Sequence, residues 1–239
     1  MRKGQQGFTL IEIAIVLVII GLLLGGVLKG QELIQNARVR NIIAQQDGIK
    51  AAFFGFQDRY RGIPGDYLAT SANTNIPGAG PASCGGNGDS LIKDVVNGVA
   101  ESICAWYQLS HAGFISGNYN GIGATSLAAD ANSSNSPTNP FGGVVQLNFD
   151  NAYADGTTLA TNSSGPLPFV HNIKTGTNIP ATVLAEIDRK IDDGLPTSGS
   201  FRFSDWQGST PGVCVNSGVT PYAWAITSSA TQCGGVSLF

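Results

Sequence analysis

Phe8–Leu28, FTLIEIAIVLVIIGLLLGGVL, is a 21-residue apolar run broken by one charge, Glu12. As a helix rising ~1.5 Å per residue it reaches about 30 Å, the hydrocarbon thickness of one bilayer. Ahead of it stands MRKGQQG, whose Arg2 and Lys3 belong on the cytoplasmic side by the bias of basic residues, which sends the rest of the chain to the other side. An ordinary secretory signal also joins a basic stretch to an apolar core, but its cleavage site follows the core in a small-residue pattern. Here the run is longer and ends in VLKGQELI, with no such site and no cysteine close enough to be lipidated. A plain signal anchor accounts for the hydrophobicity and the flanking charge but not for Glu12. An acidic side chain costs ~2.5 to 3.5 kcal/mol at the centre of a membrane helix and less near an interface, so Glu12 is expected to have a partner.

The helix is expected to continue past the bilayer. No proline interrupts Leu33–Tyr60, and Ile49, Phe53, Phe56 and Tyr60 recur at spacings of four, three and four, an apolar stripe on one helical face. Arg38, Arg40, Gln45, Gln46 and Asp47 mark the polar side. The predicted helix runs from Phe8 to about Tyr60, extends ~80 Å, and ends at GIPGD, Gly62–Asp66, where glycine and proline stop it. Its stripe is the surface on which a globular body, residues 61–239, would pack.

Composition restricts what that body can be. Forty-two per cent hydrophobic and 12% charged residues exclude both a disordered chain and a multispanning one. Thirty-two glycines and eleven prolines imply a loop-rich body containing β-structure. A net charge of −3 with 13 Lys plus Arg argues against a broad nucleic-acid surface. The four cysteines form no C-x-x-C pair and lie apart from His111 and His171, so no zinc site is expected. In an oxidising compartment four cysteines allow three pairings. The local one, Cys84 with Cys104 and Cys214 with Cys233, is favoured over the others and over four reduced thiols; each bond closes a loop of roughly 20 residues, worth about 3 kcal/mol.

Within the body, ESICAWYQLSHAGFI (Glu101–Ile115) reads as an amphipathic helix with Ile103, Trp106, Leu109 and Phe114 inward and His111 as a surface or capping residue. Residues 124–140 read as an exposed loop. VQLNF (145–149), FVHNI (169–173), SFRFS (200–204) and AWAIT (223–227) alternate as strands. PATVLAEIDRKIDDGLP reads as a helix with Val183, Leu184, Ile187 and Ile191 on one face. Asp192 and Asp193 at its end oppose the helix dipole by ~0.3 to 1 kcal/mol each; Arg189 and Lys190, or a bound calcium ion, would offset them. GGNGDS, with Asn87 and Asp89, has the flavour of a calcium loop without the full ligand pattern. Asn132 and Asn162 stand in N-x-S sequons, weak evidence for glycosylation in a bacterium. No G-x-S-x-G, H-E-x-x-H or phosphate loop is present, so the chain is not expected to be an enzyme or to carry a cofactor or metal.

KGQQGFTLIEIAIVLVIIG resembles the type III signal of type IV prepilins and pseudopilins, and the Trp106-x-x-Leu109-x-x-Ala112-Gly113 segment is similar to one in large pilin-like proteins. The resemblance implies an α+β pilin fold: a long N-terminal helix, half transmembrane, packed on an antiparallel sheet, with a disulfide-bounded loop between Cys214 and Cys233. It implies that prepilin peptidase cuts between Gly7 and Phe8, removing leader 1–7, and N-methylates Phe8. It also implies that Glu12 meets the amine of a neighbouring subunit's Phe8. Opposite charges about 4 Å apart attract by roughly 4 kcal/mol at an effective dielectric of 20, before desolvation. Most cohesion would come from packing of the apolar helices. Implied partners are the lipid bilayer, other pilin or pseudopilin subunits and an inner-membrane assembly platform. The implied location is the inner membrane with a periplasmic head, then a pilus or periplasmic filament serving adhesion, motility, DNA uptake or type II secretion. One departure is that many members carry a proline late in the membrane segment, where this chain has glycines at 21, 25, 26 and 30. Each weakens helix by ~1 kcal/mol, and the four either permit a locally melted stretch or allow close helix contact.

Overall fold

Helix α1 (Leu10–Tyr60) leads a chain that continues through α2 (Ala69–Asn75), β1 (Val95–Val96), β2 (Val99–Ala100), α3 (Glu101–His111), β3 (Gln146–Asp150), β4 (Val170–Lys174), α4 (Ala181–Ile191), β5 (Phe201–Ser204), α5 (Pro211–Cys214), β6 (Val215–Asn216), β7 (Ala223–Trp224) and β8 (Gly234–Leu238). The computed structural model describes residues 9–78, 84–123, 130–155, 159, 167–228 and 230–239. Contacts divide the chain into a unit ending at Arg38 and a unit Val39–Phe239. In the first unit α1 is helical through all four glycines, with nothing within 4 Å of where a Cβ would lie at any of them. The stretch is therefore not melted in the single chain.

The last third of α1 belongs to the second unit. Val39, Ile42, Gln46, Ile49, Ala52, Phe53 and Phe56 are buried, extending the stripe nearly three turns toward the N-terminus beyond Ile49. Gln46 departs from the expectation that it lies on the polar side: it is 1% exposed, and among the described residues neither its amide nitrogen nor its amide oxygen has a hydrogen-bond partner. It falls three residues before Ile49 and four after Ile42, so helical spacing carries it inward whatever its polarity.

That stripe packs on one face of a four-stranded sheet of order β3-β4-β8-β5, antiparallel throughout. Leu147 and Ile173 join Ile49, Phe53, Phe56 and the α3 residues Trp106 and Leu109 in one core. Phe201 and Phe203 join Val39, Ile42 and the α4 residues Val183, Leu184 and Ile187 in a second. The opposite face carries buried polar groups beside Val236, the register partner of Lys174 and Arg202. Gln146, Asn172 and Lys174 are 0% exposed, beneath loops that contribute the Ser136 hydroxyl to Gln146 and the Ala152 carbonyl to Lys174. The Lys174 ammonium lies 2.9 Å from Asp150 and 5.5 Å from the Trp206 ring centre.

Helix α3 stops at His111, short of the predicted Ile115, because Gly113 adopts φ +80°. The Gly113 amide donates to Ser110 and the Phe114 amide to Leu109, the paired hydrogen bonds of a Schellman cap. The end of the predicted helix is thus its cap. Disulfides join Cys84 to Cys104, with Cα atoms 5.2 Å apart, and Cys214 to Cys233, with Cα atoms 5.6 Å apart.

One strand expectation needs correction, and one strand was not expected. AWAIT does not enter the main sheet: only Ala223 and Trp224 are extended, paired with Asn216 and Val215 in a separate ribbon. The indole of Trp224 donates to Asp188 of α4 at 2.6 Å, holding the segment there, while Ile226 is 55% exposed. The place beside β4 belongs instead to β8, GGVSL. Its glycines disguise it as a turn, yet Gly235 lies where the Phe201 ring crosses the strand, and a Cβ there would come within 3 Å of that ring. Glycine inside a strand marks this kind of close approach. Gly235→Val should therefore cost ~2 to 3 kcal/mol through overpacking, lowering the melting temperature by about 5–10 °C. Adding Phe201→Leu should restore part of that loss; equal melting of the single variant and the parent would show that β8 does not pack this way.

Candidate functional site: an apolar helix and its capped carboxylate

Every residue from Leu10 to Leu28 is exposed in the single chain, Leu10 at 90% and Leu28 at 67%. Burying a side chain of this class is worth ~1.5–3 kcal/mol, so such a helix calls for a lipid or protein environment. It is the one helix among the described residues long and apolar enough to cross a membrane. Gly7 and Phe8 lie outside the described residues.

The helix begins with a capping box. The Thr9 carbonyl accepts from the Ile13 amide at 3.4 Å, which makes Thr9 the N-cap and Glu12 the third helical residue. The Thr9 hydroxyl accepts from the Glu12 amide at 3.4 Å, and the Thr9 amide donates to Glu12 Oε2 at 2.8 Å. The Thr9 hydroxyl also donates to the same oxygen at 2.6 Å. These reciprocal bonds satisfy two amides that a helix start otherwise leaves without partners. Glu12 thus has hydrogen-bond partners within its own chain. The pattern Thr9-x-x-Glu12 ahead of an apolar run is the signal that would have found them. Both Thr9 donors use Oε2, and Oε1 accepts none among the described residues.

Residues 2–28 match the prokaryotic N-terminal methylation motif. It is the signature of type IV prepilins and pseudopilins, and it implies processing by prepilin peptidase and assembly with other subunits of that kind. No curated protein and no solved structure matches the chain. Together with the apolar N-terminal helix, the motif points to a membrane-anchored chain.

The acidic candidates in the body have other employment. In GGNGDS the carboxylates do not converge: Asp89 pairs with Lys93 at 3.0 Å, and Asn87 donates to Asp94 at 2.9 Å. The loop instead wraps its amides around two buried carboxylates from elsewhere. Asp66 accepts from Gly88 and Ser90 at 2.7 and 2.6 Å, and Glu101 from Asn87, Lys93 and Asp94. Burial raises the Glu101 carboxyl above its ordinary range even against those amides. His111, expected at the surface or as a cap, lies half-buried with its ring 4.0 Å from that of Tyr107.

At the end of α4, Asp188, Asp192 and Asp193 place carboxylate oxygens within 4.8 Å of one another. Neither Arg189 nor Lys190 offsets them: Arg189 donates to the Ala185 carbonyl and Lys190 to Glu186. Backbone amides do so instead. Asp192 accepts from the amides of Asp193, Ser200 and Phe201, and Asp193 from Leu195 and the Ser198 hydroxyl. Asp188, 0% exposed, is pushed up to about 8 by burial and by its hydrogen bond to Asp192. Burial works against ionisation of Asp192 too, but the hydrogen bonds from Asp188 and the amides carry it below the ordinary carboxylate range. With Asp188 protonated, the pair carries one negative charge in place of two.

The sign of the pH dependence follows. Asp188 is protonated in the fold and ionised when unfolded, so its contribution is complete below about pH 4 and is lost as pH rises through about 8. The Asp192 contribution runs the other way and is lost only as pH falls below the ordinary carboxylate range. His171, lowered by burial, opposes Asp188 around its own titration. Asp188→Asn keeps an acceptor for Trp224 and a donor for Asp192 without the proton. The stability of the parent minus that of this variant should therefore fall between pH 5 and 8.5, by no more than ~1.4 kcal/mol per pH unit. Equilibrium denaturation at stepped pH measures it, and a flat difference would show that no proton is held there.

Proposed function

We propose that this chain is a structural subunit of a type IV pilus or pilus-like filament, polymerised through its N-terminal helix. The observation that carries the reading is the pairing of a methylation motif with a wholly exposed apolar helix whose single carboxylate stands at its first turn. In this reading residues 1–7 are a leader removed between Gly7 and Phe8, and Phe8 is N-methylated. Residues 8–28 cross the inner membrane and later pack against other subunits, with the head facing the periplasm. Cys84–Cys104 and Cys214–Cys233 suit that oxidising side. An inner-membrane platform would lift subunits from the bilayer into the filament. Two disulfides and a long loop-rich body favour a surface pilus over the short periplasmic filament of type II secretion.

Mass analysis of the mature terminus should begin at N-methylated Phe8; an intact Met1 in a host with active prepilin peptidase overturns the processing step. The assembly role of Glu12 is separable from its capping role, because glutamine completes a capping box as well as glutamate does. Glu12→Gln should be inserted and cleaved normally yet enter filaments poorly in cells lacking the parent copy. Leaving a neighbour's ammonium without its partner costs ~3 to 5 kcal/mol, roughly two to three and a half orders of magnitude in association. Sheared filaments quantified by mass spectrometry give the readout. Full assembly by the glutamine variant would reduce Glu12 to a cap, and filaments found only in the periplasm would favour the secretion pseudopilus.

A further inference from the structure

Asn132 and Asn162 share the same local sequence, Asn-Ser-Ser, but differ two residues upstream, where Asn132 has Asp130 and Asn162 has Ala160. We propose that Asn132 is an acceptor for asparagine-linked glycan, recognised as a folded surface turn with its preceding carboxylate.

An amide nitrogen is a weak nucleophile because its lone pair is delocalised into the carbonyl. A transferase must therefore grip the side chain from the surface and read the hydroxyl two residues on. Asn132, Ser133 and Ser134 are all exposed. The Ser134 amide donates to Asn132 Oδ1 at 2.8 Å, which fixes the carbonyl end of the side chain toward the Ser134 side. Nδ2 points the other way, donating to the Asp130 backbone carbonyl at 2.9 Å. That solvent-exposed bond is the one contact the acceptor nitrogen must release.

The turn is presented on a fixed base. Asn135, 0% exposed, accepts from the Asn132 amide at 2.8 Å and donates to the carbonyls of Ile122 and Asp130 at 3.0 and 2.9 Å. The Asn135 and Ser136 amides both return to the Asn132 carbonyl. The sequon is held from beneath while its own side chains face solvent. Asp130 supplies its backbone carbonyl to this arrangement, and its carboxylate remains as a negative handle for a cationic pocket on the transferase.

The donor is an oligosaccharide carried on a polyisoprenyl pyrophosphate. Asn132 Nδ2 attacks the anomeric carbon, a C–N bond forms, and the C–O bond to pyrophosphate breaks. The pyrophosphate leaves as an anion, and the amide proton passes to a carboxylate of the transferase. In the cell this requires the periplasmic head of the proposed function. The test below supplies the transferase in solution, so its result stands apart from that reading.

Full-length protein in detergent is incubated with a purified bacterial oligosaccharyltransferase and a polyisoprenyl-pyrophosphate oligosaccharide, alongside an acceptor peptide known to be active in the same mixture. Intact mass and peptide mapping should show one glycan, on Asn132, absent from Asn132→Gln. Asp130→Asn leaves every backbone hydrogen bond of the turn in place and should lower the rate at least about tenfold, with unchanged melting temperature. Asn162 should stay bare. No added mass while the peptide is modified, or modification at Asn162 alone, overturns the proposal. An undiminished rate in Asp130→Asn overturns the role of the carboxylate.

Discussion

The burial of the α1 stripe is the contact on which the body depends. Phe53 and Phe56 lie in one core with Trp106 and Leu109 of α3 and with Leu147 and Ile173 of the sheet, and Val39 and Ile42 lie in the other with α4. No other element enters both cores and the apolar N-terminal run alike. The sheet itself has only four short strands, and its outer face sets buried amides and a lysine beside Val236. Without the helix, its inner face would be left to water. A helix that is apolar all round in one stretch and striped in the next answers to two surroundings in turn.

The loops between those elements are held from inside. A glycine-rich chain with few strands has many amides that no ladder satisfies, and buried amides without partners are costly. Buried polar side chains take their place. Asp66 and Glu101 gather the amides of residues 87–94. Asn139 accepts from Phe141 and Gly143 and donates to Thr175 and Thr177. Asp192 gathers those of the loop after α4. Carboxylates that suggest cation sites in a linear reading serve here as templates for backbone.

Periodicity was readable wherever burial followed it. The positions of α1, α3, α4 and three of the four sheet strands came from apolar spacing, to within a residue or two at most ends. Where another force decided the matter, spacing misled. Trp224 is drawn out of the sheet by one hydrogen bond to Asp188, a partner 36 residues away that no local pattern reveals. Strand β8 is hidden by Gly234 and Gly235, residues that a propensity argument assigns to a turn, although the Phe201 ring requires the second of them. Gln46 is buried by phase despite its amide. At the N-terminus the hydrophobic run and the methylation motif were plain, whereas the capping box needed Thr9 to be read together with Glu12.

The capping box also bears on how Glu12 would serve assembly. A carboxylate has about four lone-pair sites, and the Thr9 donors occupy those of Oε2 alone. A neighbour's ammonium could approach Oε1 without displacing the cap, so capping and pairing do not compete for the same atom. Holding the carboxylate in one rotamer before any neighbour arrives removes part of the ordering cost of docking, ~0.5–1.5 kcal/mol for a flexible side chain. The cap also supplies the hydrogen bonds that a charge in a membrane interface needs while the subunit waits alone. If Glu12 pairs with a neighbour as proposed, Thr9 would belong to the assembly site as much as Glu12 does: it supplies the carboxylate with hydrogen bonds and holds it in place.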